Sequence, residues 1–126
     1  MRELTLDEKQ IMDFDLLLAS EDVHYDSHLI IYFVLNGRMT AETSDSVLFL
    51  SEKDFLIVNP FLLHSVRMEE QCLAMKFIVN LGKISEFYDV TELDFVGNSV
   101  EEESGQHMAL RNLLEKCVAC YYGKRF

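Results

Sequence analysis

Basic side chains are scarce in this chain of 126 residues: 11 Lys and Arg stand against 22 Asp and Glu, a formal net charge of −11. Nucleic-acid affinity rests on Lys and Arg neutralising phosphates, so the chain alone is a poor candidate for a nucleic-acid binder. Cysteine is sparse too. Cys72, Cys117 and Cys120 make an odd set of 3. Cys117-x-x-Cys120 has redox or metal spacing, but it lacks a second pair and lies in a helical pattern, so buried or half-buried thiols are the plainer reading. No apolar run approaches the roughly 20 residues that span a bilayer. The opening stretch from Met1 to Glu8 is polar and acidic, unlike a secretory leader. The expected compartment is therefore a reducing cytoplasm, with no membrane partner. Internal repeats and low-complexity tracts are absent as well. Gly123-Lys124-Arg125-Phe126 forms no tidy terminal element, which fits a cut inside a longer protein.

What the chain does have is apolar substance. A hydrophobic fraction of 49% with 11% aromatics describes one folded domain with a real core. Residues 5–12 could form a short helical turn, with Thr5 or Asp7 as its cap. Phe14 to Ala19 reads as a strand, broken at Ser20-Glu21-Asp22. His24 to Asn36 reads as one long strand rich in Ile, Tyr, Phe and Val, ended by a tight turn at Asn36-Gly37. Further strands are expected at Arg38 to Thr43, Val47 to Leu50, Phe55 to Asn59, His64 to Met68 and Cys72 to Asn80. Short strands at regular spacing describe a sandwich or barrel. The texture changes after Asn80. Ser99 to Glu102 fits a capping box, and Leu110, Leu113, Leu114, Cys117, Val118 and Tyr121 recur at helical spacing. That amphipathic helix must bury its apolar stripe, either against the barrel or in a dimer interface.

Polar residues collect where the barrel should open. Strand side chains alternate faces, so His24, Asp26, His28, Ile30, Tyr32, Val34 and Asn36 share one face if the strand is unbulged. With that face inward, His24, Asp26 and His28 lie at one rim, Tyr32 in the middle and Asn36 at the other rim. His64, beyond the Pro60 turn, enters from a neighbouring strand. Candidate ligand-binding residues are thus His24, Asp26, Tyr32, Asn36 and His64, in a mouth suited to a small molecule. Lys76 alternates with the apolar Leu73, Met75, Phe77 and Val79 and is expected on the exposed side.

His24-x-Asp26 leading to Gly37, then Lys53-Asp54, then Asn59-Pro60-Phe61-Leu62-Leu63-His64-Ser65-Val66, resembles the two cupin signatures. The version with Val34-Leu35-Asn36-Gly37 is similar to the sensor domain of AraC-type transcription regulators. Phe95 to Ser99, followed by Leu110-Arg111-Asn112-Leu113-Leu114, resembles the linker and helices that follow such barrels. The resemblance covers roughly residues 14–122. It implies an all-β, cupin-like double-stranded β-helix (jelly-roll) barrel over residues 1–80 and a helical extension over 81–126. It also implies a homodimer, a small-molecule effector with sugars among the candidates, and contact with DNA only through a helix-turn-helix domain beyond this chain.

The departures from the general cupin pattern carry information of their own. Asp26 stands in place of a second His, Ile30 in place of the Glu, and Lys53 in place of a turn glycine. The set reads as a degraded metal site, so neither a cofactor nor catalysis is expected. Three donors, His24, Asp26 and His64, still match the ligand types of a two-His, one-carboxylate iron site, which keeps a metal-dependent cupin isomerase or oxygenase as the rival reading. A third reading is a dimerisation module whose pocket is plugged by Phe61, Tyr32 and Met75.

Overall fold

The structure, a computed structural model, describes residues 4–7, 10–44, 46–80 and 116. Eight strands follow one another: β1 (Met12–Leu17), β2 (Glu21–His24), β3 (Leu29–Asn36), β4 (Met39–Thr43), β5 (Val47–Leu50), β6 (Phe55–Val58), β7 (His64–Met68) and β8 (Leu73–Val79). They form two antiparallel sheets of four strands, ordered β1-β8-β3-β6 and β2-β7-β4-β5. Six of the strands fall where alternation and turn residues placed them. The expected long strand does not survive: its first residue, His24, ends β2 in one sheet, and Leu29–Asn36 is β3 in the other. The helical turn expected over 5–12 is replaced by irregular chain leading into β1, among the residues described there. The helical extension and its interface residues Leu110, Leu113, Leu114, Cys117, Val118 and Tyr121 lie outside the described residues.

Only β4 and β5 are consecutive strands that pair as a hairpin; every other connection passes from one sheet to the other. Asn36-Gly37 is therefore a corner rather than a hairpin turn. It carries the chain from β3 in the first sheet to β4 in the second. Gly37 has φ +82°, and a Cβ there would lie 2.9 Å from the Cα of Cys72. Lys53, Phe61 and Gln71 adopt the same left-handed conformation without being glycine, with φ of 68°, 67° and 65°. Lys53, where the signature it resembles has glycine, is held by its backbone. Its N–H donates to the Val34 carbonyl at 2.8 Å, and the Val34 N–H donates to Asp54 O at 2.9 Å.

The interior between the sheets is apolar for most of its length. Leu17, Ile30, Val34, Met39, Ala41, Leu50, Leu56, Val58, Val66, Ala74 and Ile78 pack there with the ring of Tyr32. A second cluster occupies the opposite face of the first sheet: Leu29, Ile31, Phe33, Phe55, Ile57, Met75, Phe77 and Val79, all buried. Both faces of β3, β6 and β8 are thus out of water, which is why these strands read as continuous apolar runs rather than clean alternations.

Gly37→Ala should lower stability by about 2 kcal/mol, because a left-handed φ and a close backbone both oppose a side chain there. Urea unfolding measures it; Arg38→Ala, next door and exposed, should change stability by no more than about 0.5 kcal/mol.

Candidate functional site

A row of polar residues crosses the apolar interior. In the first sheet Lys76 of β8 pairs directly with Tyr32 of β3 on one side and Asp15 of β1 on the other. Antiparallel partners share a face, so all three side chains lie on the inner face with Ile30, Val34 and Ile78. Tyr32 is 0% exposed and Lys76 only 7%. A buried ammonium requires a counter-charge, and Glu21 of β2 supplies it from the opposite sheet. Its Oε2 lies 2.8 Å and its Oε1 3.1 Å from Lys76 Nζ. The Tyr32 hydroxyl donates to Glu21 Oε1 at 2.7 Å. The same hydroxyl lies 2.9 Å from Nε2 of His64, the first residue of β7. Lys76 Nζ also stands 5.7 Å from the centre of the Tyr32 ring, within cation–π range.

A β-bulge makes this arrangement possible. Glu21 lies opposite Val66 and His24 opposite His64, so three steps along β2 match two along β7. The extra residue resets the alternation and turns both Glu21 and His24 toward the interior. His24 and His64 then stand with ring centroids 4.3 Å apart. Each is oriented through Nδ1, which donates to a backbone carbonyl two residues earlier: Asp22 at 2.7 Å for His24 and Leu62 at 2.9 Å for His64. His24 Nε2 is buried without a hydrogen-bond partner, 3.7 Å from Glu21 Oε1.

Burial governs the protonation of the pair Tyr32 and His64. Desolvation, then the charge of Glu21, drives the Tyr32 hydroxyl far above its ordinary range and keeps it protonated. Burial also holds His64 below the usual imidazole range, partly opposed by its bond to Leu62.

The expected site residues divide. His24, Tyr32 and His64 come together. Asp26 instead accepts from the His28 N–H at 2.9 Å and faces His28 Nδ1 at 3.2 Å. Asn36 is exposed at the end of β3. Two members were not expected. Glu21 sat in a run that reads as a strand break, and its inward aim depends on the bulge. Lys76 was expected in solvent; the structure corrects this, because both faces of the first sheet are buried and its side is the barrel interior. A lone charge inside the seven-residue apolar β8 is the signal that could have found it.

At the rim, Phe61 N–H donates to the Asp26 carbonyl at 2.7 Å, tying the loop that follows His24 to the loop that precedes His64. The exposed rings of Tyr25 and Phe61 lie 6.2 Å apart on those loops. A groove of about 290 Å³ is lined by Glu21 itself together with Asp22, Val23, Thr40, Glu42, Ser65 and Arg67.

The residues do not fit the transition metal that cupins often hold. Among the described residues, no three His, Cys, Asp or Glu side chains are grouped as a metal site. Among the described residues, the carboxylate beside both imidazoles is Glu21, which already carries an ammonium at 2.8 Å that would repel a second cation.

Glu21→Ala should cost about 3 kcal/mol, because it strands the Lys76 charge, whereas Glu21→Leu/Lys76→Met should cost less than the single change. Chemical denaturation of both variants tests this ordering. The depressed folded-state affinity of His64 for protons sets a pH dependence. Below the ordinary His range the unfolded chain binds more protons than the folded one, so stability falls as pH drops. Melting temperature should decline from about pH 7.5 to about pH 5.5, and His64→Gln should flatten that slope.

No family model and no curated protein matches the sequence. Solved structures match the fold. A protein of Neisseria meningitidis aligns at 20% identity and TM-score 0.50, over 62% of this chain and 81% of its own. A cupin superfamily protein of Desulfitobacterium hafniense aligns at 15% identity and TM-score 0.50, over 59% and 72%. An RmlC-like cupin of Shewanella frigidimarina aligns at 14% identity and TM-score 0.50, over 55% and 66%. With its two four-stranded antiparallel sheets, the chain has the cupin fold.

Proposed function

We propose that this chain is the effector-sensing and dimerisation domain of an AraC-type transcription regulator acting in the cytoplasm. Its effector is a small hydroxylated molecule, with sugars the leading class, and it meets DNA only through a domain beyond this chain. The observation that carries the reading is the buried, partnerless Nε2 of His24. An imidazole whose Nδ1 is fixed to a carbonyl presents a bare acceptor at Nε2, and an unmet acceptor in a barrel mouth invites a ligand hydroxyl. The order of the sequence motifs supports the regulator family. The Lys76–Glu21 pair weighs against the rival, a metal-dependent enzyme.

The response would be a population shift. His24 ends β2, an edge strand of four residues that pairs only with β7. Undocking β2 removes Glu21 from beside Lys76 and strands a buried ammonium, so the undocked form is a minor population. A ligand bound to His24 favours the arrangement in which β2 is docked, and one that bound docked and undocked forms equally would shift nothing.

A monosaccharide panel screened by thermal shift should yield a stabilising ligand. His24→Ala should weaken its binding about five-fold, the loss of one neutral hydrogen bond of about 1 kcal/mol, with little change in the unliganded melt. An unchanged ligand affinity in His24→Ala would overturn the site. One equivalent of bound metal per chain, lost with His24, would favour the enzyme.

A further inference from the structure

Counting hydrogens in the cluster leaves two imidazole acceptors without a donor. The Leu62 carbonyl can only accept, so His64 carries its hydrogen on Nδ1, and its neutral ring leaves Nε2 bare. Asp22 fixes His24 in the same form. Between His64 Nε2 at 2.9 Å and Glu21 Oε1 at 2.7 Å stands the Tyr32 hydroxyl, with a single hydrogen and two acceptors. The charged and shorter contact takes it. His64 Nε2 then faces an oxygen lone pair, and His24 Nε2 faces no donor at all.

We infer that the Glu21, His24, Tyr32 and His64 cluster is a site for one added hydrogen donor, either a ligand hydroxyl or a proton, and that it rejects anions. Among the described residues, the groups that face it leave no other source. Glu21 and His24 come from β2, Tyr32 from β3, His64 from β7 and Lys76 from β8. Lys76 donates to both oxygens of Glu21. Asp15, across β1 from Lys76, and Asp26, at the rim, add carboxylates rather than donors. An anion would meet the bare nitrogens, which can only accept, beside the Glu21 carboxylate.

The two donors differ in what they add. A proton on His64 Nε2 lets the ring donate to the Tyr32 oxygen while Tyr32 keeps donating to Glu21. The run from Glu21 through Tyr32 to His64 is then complete, with His24 Nε2 still bare, but it carries a new buried charge. Burial opposes that charge, in line with the lowered proton affinity of His64. A neutral hydroxyl aimed at the bare nitrogens supplies the hydrogen with no charge, so it is the better fit. Two positive rings at 4.3 Å repel, so the site takes one proton and not two. The hydroxyl arm rests on the sensor reading above; the hydrogen count does not.

The test is imidazole nitrogen NMR on the whole chain. At about pH 8 both His24 and His64 should be Nδ1–H forms with bare Nε2. Sorbitol should move both Nε2 resonances, while sodium acetate at equal ionic strength should leave them in place. As the pH is lowered, one imidazole should take a proton, and the second only at least about one pH unit further down. Glu21→Gln should supply the missing hydrogen from its amide. Tyr32 is then free to donate to His64, whose protonation should fall by at least about a further pH unit. Should that variant fail to fold, Glu21→Gln/Lys76→Met carries the same amide without the stranded ammonium. An Nε2–H form of either ring at about pH 8, independent titration of the two rings, or a response to acetate would overturn the inference. If the one-proton titration holds and sorbitol has no effect, the proton is the donor, and it is the sensor reading that fails.

Discussion

An ammonium inside a small β-barrel sets the terms for the rest of this molecule. Lys76 lies in the middle of β8, whose side chains from Ala74 to Val79 are otherwise apolar, and β8 is bounded by β1 and β3, so its charge has no lateral route to water. The counter-charge has to come from across the interior. Glu21 provides it, but only because β2 carries a bulge and lies against β7. The ion pair therefore holds one sheet in register with the other. Its net worth in free energy is small, since desolvation of both partners offsets most of the attraction. Its effect is to make one packing of the two sheets acceptable and the others costly.

The imidazoles follow from the same contact. Glu21 fixes Tyr32, Tyr32 meets His64, and the bulge that aims Glu21 inward also brings His24 beside His64. A cluster built outward from a structural ion pair differs from one built around a metal. Its carboxylate is spoken for, and its free valence is an acceptor nitrogen. Chemistry of that kind recognises hydroxyl and amine hydrogens and gives no purchase to phosphates or carboxylates.

The sequence made much of this legible. Alternation and turn residues located β4 through β8 almost to the residue, because Gly, Pro, Asn, Asp and Ser stop strands for local reasons. His64 and Tyr32 were visible as polar groups on faces that must be buried. Three features were not, each for a non-local reason. The break between β2 and β3 is made by a change of sheet within Tyr25 to His28, and nothing in those residues forbids an extended strand. The inward aim of Glu21 depends on a bulge, which shifts parity by one and leaves no mark in composition. Lys76 was placed in solvent because alternation within β8 makes one face polar only if water lies there, and both faces of that sheet are covered.

The order of strands also dictates how the barrel can come into being. The strand that joins β1 to β3 in the first sheet is β8, the last of the eight to be synthesised. Until residue 79 has left the ribosome, β1 has no neighbour, and Glu21 has no cation to meet. The β4–β5 hairpin is the one pairing of consecutive strands available during translation. Everything else waits on contacts between distant parts of the chain, whose loop-closure entropy is paid before any pairing rewards it. Closure of the first sheet is thus held back until β8 is made, and the charged pair forms no earlier, when both of its partners can leave water at once.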